Sequence, residues 1–189
     1  MVELPDEDVK IFELFARWIY FYKFHRPDER DDESQSCDSL SLWDASRLWV
    51  FGDKRKIPDL MNAAIDAWYH VRKIREPSLP VSFVGLLYAN TVDGSPLRKL
   101  VIESFAVLAT FDSCFGEKSR PGRYPEDFLC ELLLRISKGG LCTGTLIERA
   151  AIWKNLDLSQ FYVPAEVMLE NKSLLHGQDS GDTKKEPVG

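Results

Sequence analysis

The sequence of 189 residues predicts an all-α fold, and three observations support that prediction. First, apolar residues recur at steps of three and four in several segments, which is the spacing of one helix face. Second, prolines stand between these segments, where they end or begin a helix. Third, short polar residues that cap helices and glycines that end them bracket the same segments.

The first predicted helix follows the acidic segment "LPDED", and Asp6 or Asp8 is expected to cap its first turn. This helix is apolar on two sides. One face consists of Phe12, Phe15, Ile19 and Tyr22. The second face consists of Leu14, Trp18 and Phe21. We expect the helix hairpin that follows to cover the first face, and the second face to stay exposed as the candidate surface for a protein partner.

A helix hairpin is predicted after a charged loop at residues 26–39. Ser41 and Asp44 have the spacing of a capping box, which begins the second helix. The basic run 54–56 suits the negative end of that helix, and Pro58 suits the first turn of the third. A nucleic-acid patch is the sharper but less favoured interpretation of the run. In the third helix we expect Trp68 to be buried between the hairpin and the first helix, on a stripe formed by Leu60, Ala64, Trp68 and Val71.

Four more helices are predicted beyond the Pro-rich connector "REPSLP", and we expect this connector to lead the chain away from the hairpin. They cover "VSFVGLLYANT", "PLRKLVIESFAVLATF", "PEDFLCELLLRISKGG" and "LIERAAIWKNL". We divide the chain into residues 1–76, a helical extension at 77–165 and a disordered tail at 166–189. The tail is polar and small from about Asn171 onward.

Composition excludes several classes of protein. Hydrophobic residues make up 44% and charged residues 29%, as in globular domains, and a net charge of −6 disfavours phosphate partners. Four cysteines show no CxxC pair and no ligand-like spacing with the histidines, so we expect reduced thiols in an intracellular, cytoplasmic or nuclear protein without a metal. No signal peptide and no apolar run of about 20 residues is present, which predicts no contact with a membrane.

Residues that carry enzymatic chemistry do not converge in the sequence. A pair such as Cys37 and His25 sits in or beside an acidic loop, which opposes thiolate formation. "VDGSP" has a single glycine and is typical of a turn, and Glu126 with Asp127 suits a helix start. We therefore predict a non-enzyme without catalytic, cofactor or metal residues and without a small-molecule substrate.

Three segments in order resemble the C-terminal half of a BTB/POZ domain of the fungal class and the helical segment that follows it. The first motif is matched by Phe12, Phe15, Trp18 and Tyr20. The hairpin motif is matched by Leu48, Asp53, Lys54, Ile57, Pro58, Leu60, Asn62, Ala64 and Asp66. The third is matched by Tyr88, Asn90, Thr91, Ser95, Pro96, Leu97 and Arg98. Gly52 stands where this family usually has alanine, which predicts only a locally weaker helix.

The resemblance implies an incomplete BTB/POZ helical half followed by a helical extension, acting in protein–protein interaction as an adaptor or scaffold, with self-association as one form of partnership. It also implies a link to ubiquitin-ligase assembly, although the family's N-terminal half, with its cullin-contacting residues, has no counterpart in the sequence. Two alternatives stay open: a truncated remnant of a longer gene, and an unrelated helical enzyme or regulatory domain.

Overall fold

The computed structural model describes residues 8–24, 40–74, 79–108, 124–139 and 144–164. These ranges form seven α-helices and one short 3-10 helix, and they contain no strand, which confirms the predicted all-α class. The helices are α1 Val9–Phe21, α2 Leu42–Arg55, α3 Pro58–Ile74, α4 Val81–Ala89, α5 Pro96–Leu108, α6 Glu126–Gly139 and α7 Leu146–Lys154, and the 3-10 helix is Leu158–Phe161.

The α2–α3 hairpin forms where its sequence signals predicted it. Asp44 Oδ2 accepts from the Ser41 backbone N–H at 3.1 Å, and Ser41 Oγ accepts from the Asp44 N–H at 3.1 Å, so both halves of the capping box are present. Lys56 ends α2 in a left-handed conformation with a φ of 57°. α3 then begins at Pro58, whose fixed φ suits a first helical turn.

Gly52 permits the close approach of α2 and α3. A Cβ built on Gly52 would lie 2.9 Å from Cγ of Met61, which is itself buried. The sequence interpretation, in which this glycine only weakens α2, was therefore incomplete. Its missing side chain leaves the space that Met61 occupies at the helix crossing.

The predicted stripe of α3 is fully buried, but its neighbours differ from the expectation. Trp68 is inaccessible to solvent, and its ring centre lies 6.5 Å from that of Phe83 in α4 and 6.5 Å from that of Trp153 in α7. Trp68 therefore has aromatic neighbours in the downstream helices α4 and α7, where the sequence-based expectation named the first helix. Periodicity identifies the buried face of a helix, whereas the partner of that face depends on the chain topology.

The helices downstream of the connector pack onto the hairpin, which corrects the expectation that the connector leads away from it. The Tyr69 hydroxyl donates to the Trp153 carbonyl at 2.7 Å, and Trp43 meets Phe83 edge-on at 5.3 Å. Asn62 exchanges two hydrogen bonds with the backbone beyond the 3-10 helix, at 3.1 and 2.7 Å. One continuous core therefore includes side chains from α1 through the 3-10 helix.

Several expectations concern residues outside the described ranges. They include Asp6, the acidic loop, the Cys37–His25 pair and the tail from residue 166 onward. The boundaries at 76/77 and 165/166 stay predictions. Of the four cysteines, Cys130 lies in the described part of the chain, and its thiol is free and exposed on α6.

Candidate functional site

The first helix is held at its start by polar contacts. Asp8 caps α1 by accepting from the Lys10 backbone N–H at 3.0 Å, and its other carboxylate oxygen accepts from Arg47 Nη1 of α2 at 2.6 Å. The Lys10 ammonium donates to Asp44 Oδ2 at 2.7 Å. These contacts align the first turn of α1 with the first turns of α2.

The Asp44 carboxylate belongs both to the capping box and to the junction of α1 with α2. Burial opposes its ionisation, but hydrogen bonds from Lys10 and Ser41 favour the charged form more strongly. Together these effects hold the pKa of Asp44 below its ordinary value. The ionised state of Asp44 therefore supports both the α2 start and the docking of α1.

The packed face of α1 consists of Ile11, Leu14, Phe15 and Trp18, which follow the helical spacing i, i+3, i+4, i+7. Ile11 and Leu14 are buried, and the ring centre of Phe15 lies 4.9 Å from that of Phe51 in α2. α1 packs mainly on α2, so one side of a strongly apolar helix is covered.

The opposite side of α1 carries the main exposed apolar surface of this region. We call it the outer face, and it consists of Val9, Phe12, Ala16, Ile19 and Tyr20. Its four large side chains are between 43% and 79% exposed. Phe21 and Tyr22 extend the apolar surface at the helix end, with exposures of 50% and 80%.

The three residues predicted to bind a partner do not share one exposed face. Leu14 is 6% exposed and lies on the packed face, so the expectation that it is exposed was wrong. Trp18 is half-buried beside Phe15, and Phe21 is exposed at the edge. The packed stripe cuts across both predicted faces, because a helix apolar nearly all round offers several equally regular stripes. The series that begins at Ile11 and the one that begins at Phe12 are both apolar at i, i+3, i+4 and i+7, so spacing alone does not identify the packed stripe.

A second polar cluster lies at the α4–α5 turn, around a buried arginine. The Arg98 guanidinium donates to the hydroxyl and the carbonyl of Thr91 and to the Tyr88 carbonyl, and its carbon lies 4.2 Å from the centre of the Tyr88 ring. The Tyr88 hydroxyl donates to Glu131 at 2.8 Å, and burial together with this carboxylate raises the pKa of Tyr88. The polar side chains of this cluster are paired with one another or with the backbone of the turn, as expected of a structural network.

A wide groove of about 790 Å³ lies between α5, α6 and the 3-10 helix. Its lining includes both signs of charge, and Arg135 donates to both oxygens of Glu103, at 2.6 and 2.7 Å. Because this pair satisfies its members within the chain, the groove presents no concentrated charge of one sign to a ligand.

Two further findings concern the described residues alone. They contain no cluster of three or more His, Cys, Asp or Glu side chains that could hold a metal ion. None of their helices is both long and apolar enough to cross a membrane.

No protein-family model, no curated protein and no solved structure matches this chain.

Proposed function

We propose that this chain is a non-enzymatic protein–protein interaction module of the BTB/POZ type, acting inside the cell as an adaptor or scaffold. We further propose that it self-associates through the outer face of α1. The single observation that carries the proposal is the row of large apolar side chains exposed along one side of α1, from Val9 to Tyr20. Exposed apolar patches of this kind mark interaction surfaces in proteins.

The BTB/POZ part of the proposal is supported by the order of elements. The motif residues that resemble this family fall on α1, on the α2–α3 hairpin and on the α4–α5 turn, in the order that the resemblance implies. The hairpin begins at the capping box of α2 and ends with α3, which runs from Pro58 to Ile74. A link to ubiquitin-ligase assembly follows from the resemblance alone.

A second copy of the chain is the occupant that suits the outer face. Ala16 lies near its middle, so two α1 helices could approach closely there. In an antiparallel pair centred near Ala16, Phe12 of one copy lies against Ile19 of the other. Glu13 and Arg17 flank the face one turn apart, and their side chains approach to 4.0 Å within one helix. In the antiparallel pair each Glu13 faces the other copy's Arg17, so the charges are self-complementary.

The expected dimer is weak. Covering a few hundred Å² of apolar surface at ~25 cal/mol per Å² yields several kcal/mol. The loss of translational and rotational freedom opposes association by a comparable amount. We therefore expect a dissociation constant in the micromolar range or above, and a monomer–dimer equilibrium that depends on concentration.

Sedimentation equilibrium over a range of concentrations tests the proposal. The wild-type chain should dimerise reversibly, and a double variant with Phe12→Glu and Ile19→Glu should remain monomeric. The matched control is Ile147→Glu on α7, which introduces a charge at a side chain that is 82% exposed and should leave the dimer intact. A wild-type chain that stays monomeric up to ~1 mM, the weak limit of such contacts, would contradict self-association.

A charge exchange tests the antiparallel arrangement. Glu13→Arg should weaken the dimer because two arginines then face each other across the pair. Adding Arg17→Glu to the same chain should restore it, because the exchanged charges are again complementary. If the double exchange leaves the dimer as weak as the single variant, the α1 helices do not pair in this way.

A further inference from the structure

The segment that follows α7 lies against α3 as an extended peptide, and we call residues 158–164 the arm. It begins with the 3-10 helix, which packs on α3 and α5. Tyr162 then adopts an extended conformation, with a φ of −82° and a ψ of 147°. Pro164 restricts the residue before it to the same extended region. The sequence of the arm therefore favours the shape in which it lies on α3.

A single aromatic ring anchors the arm. Phe161 is 4% exposed and belongs to the core, whereas the other arm residues are half-buried or exposed. A buried aromatic side chain that fills a pocket is the usual anchor of a bound segment. If the arm were lifted, the place of this ring would be an apolar pocket on α3 and α5.

Asn62 of α3 recognises the backbone of the arm. Its Oδ1 accepts from the Val163 N–H at 2.7 Å, and its Nδ2 donates to the Val163 carbonyl at 3.1 Å. One side-chain amide thus satisfies both polar backbone groups of one residue, as a neighbouring strand does when a sheet edge binds a peptide. These two bonds do not depend on the side chain at this position, and only proline lacks the donor.

Asp66 lies one turn further along α3 and adds a contact to a particular side chain. Its carboxylate accepts from the Tyr162 hydroxyl. Burial and this carboxylate raise the pKa of Tyr162 to about 12, so the hydroxyl remains a donor at neutral pH. The side chains of Asn62 and Asp66 have no other hydrogen-bond partner within the described ranges. Both polar groups of this face of α3 are therefore used to hold the arm.

We propose that this face of α3, together with the pocket on α3 and α5, is a binding site for an extended peptide from a partner protein. The peptide carries an aromatic anchor, a tyrosine directly after it, and an aliphatic residue followed by proline. The arm occupies the site in cis and displays the chemistry of the ligand, and a partner segment of the same pattern takes its place when the arm opens. The site lies apart from the outer face of α1, and binding of a peptide does not need a dimer.

Displacement requires that the arm open while the rest of the chain stays folded. Its main contacts are one buried ring and three hydrogen bonds, and the conformational entropy of the arm opposes them. Short segments held in this way open at free energies below that of global unfolding.

Hydrogen exchange of the wild-type chain measures this opening, because the Val163 amide is bonded to Asn62 only while the arm is docked. The Val163 amide should exchange at least about tenfold faster than the amides of Ala64 and Trp68 in the middle of α3. Exchange at the same rate as those amides would overturn displacement, because the arm would then leave only when the whole chain unfolds.

Recognition is tested in the full chain with the arm disabled. Phe161→Asp places a charge at the anchor, so the tethered arm no longer docks, while α3 and α5 keep their sequence. A milder receptor, Val163→Pro, keeps the ring and loses the N–H that Asn62 accepts. Amide spectra establish that each receptor is folded.

The probe is a fluorescein-labelled peptide with the sequence of residues 157–165, titrated into each receptor and followed by anisotropy. It should bind the Phe161→Asp chain with a dissociation constant of about 10–500 μM. The Val163→Pro chain should bind it more weakly, and the wild-type chain at least about tenfold more weakly than Phe161→Asp, because the tethered arm competes at high effective concentration.

Paired changes in the Phe161→Asp receptor connect binding to named groups. N-methylation of the peptide valine removes its N–H, and Asn62→Ala removes the acceptor. Each should weaken binding about fivefold to tenfold, and the two together should cost no more than the larger single loss. Phenylalanine in place of the peptide tyrosine should cost about fivefold, and this cost should disappear in Asp66→Ala. The matched control is Asn90→Ala, which removes an amide that bonds to its own helix at 2.8 Å and should leave binding unchanged.

The outcomes support or overturn the site. Saturable binding with these couplings supports it. No binding to either folded receptor up to ~1 mM would overturn it, and so would binding that is insensitive to both Asn62→Ala and N-methylation. Wild-type dimers that the free peptide dissociates would assign the site to the arm of a second copy and overturn a partner protein as the occupant. Adding Phe12→Glu and Ile19→Glu to the receptor should leave peptide affinity unchanged, which separates this site from self-association through α1.

Discussion

Replacing Arg98 with methionine should be among the most damaging single changes in the chain. Arg98 is 3% exposed, and its Nε donates to the Thr91 hydroxyl at 2.9 Å. One Nη donates to the carbonyls of Tyr88 and Thr91, with the Tyr88 distance at 2.9 Å. The other Nη lies 2.6 Å from Asp93 and 3.5 Å from Glu131. Methionine keeps the apolar stem and removes all of these donors.

The magnitude follows from which partners are buried. The Asp93 side chain is 88% exposed, so its ion pair with Arg98 contributes little. Glu131 is 27% exposed, and its 3.5 Å separation from Arg98 is at the long limit of a hydrogen bond. The cost therefore comes from the buried carbonyls and the Thr91 hydroxyl, at ~1–3 kcal/mol for each group left unpaired, part of which water recovers at this turn. We expect a loss of about 3–5 kcal/mol, comparable to breaking a buried ion pair.

Equilibrium unfolding in urea measures this loss. Asp93→Asn should cost less than about 1 kcal/mol, because it removes only the exposed ion pair. Lys99→Met, at the exposed neighbouring position, should lie within about 0.5 kcal/mol of the wild type. A loss below about 1 kcal/mol for Arg98→Met would refute the assignment of the buried carbonyls as its essential partners. An equal loss for Asp93→Asn would show that the ion pair dominates instead.

Three further perturbations test the helix junctions and the core. Asp44→Asn should destabilise the chain by about 1 kcal/mol at neutral pH. Because folding lowers the pKa of Asp44, this difference should be constant above the pKa of the unfolded state, near 4, and should vanish as the pH falls through the pKa of the folded state. Denaturant titrations at a series of pH values measure it. Gly85→Ala, where an added Cβ has no neighbour within 4 Å, should stabilise the chain by about 0.5–1 kcal/mol. Gly52→Ala gains the same helix propensity but must displace Met61, so it should destabilise the chain. Equal shifts of the melting temperature for the two variants would contradict the close approach at Gly52. Trp68→Ala should cost about 3–5 kcal/mol in chemical denaturation, and a loss under about 1 kcal/mol would show that its site collapses freely.

The hairpin was predictable because its signals are local. A capping box needs only Ser41 and Asp44 at the right spacing, and Pro58 fixes a helix start through its own ring. The all-α class follows from several such signals in order. The burial of the α3 stripe was predictable for the same reason, since helical spacing defines a face without reference to the rest of the fold.

The candidate sites were less accessible to sequence reasoning. Along α1 apolar residues occupy most of the circumference, so composition could not distinguish the packed face from the outer face. The sequence pointed to Arg98 as part of a motif but not as a buried side chain. A charged residue is buried only when it is paired, and the partners of Arg98 are mainly backbone carbonyls, which the sequence does not reveal.

The polar contacts between α1 and α2 are all at one end of α1, and this asymmetry has a consequence for local stability. The ion pairs of Asp8 and Lys10 hold the first turn, whereas the last turn ends on Tyr22 in a left-handed conformation that is unfavourable for a tyrosine. The helix should therefore open from its C-terminal end, at a free energy well below that of global unfolding. Backbone amides near Ile19 would exchange with solvent deuterium through this partial opening. Those near Leu14, which follows the first turn with its unbonded amides, would exchange only through a larger opening. The two ends of one helix thus belong to different cooperative units, and dimerisation through the outer face would slow amide exchange chiefly in the unit that opens first.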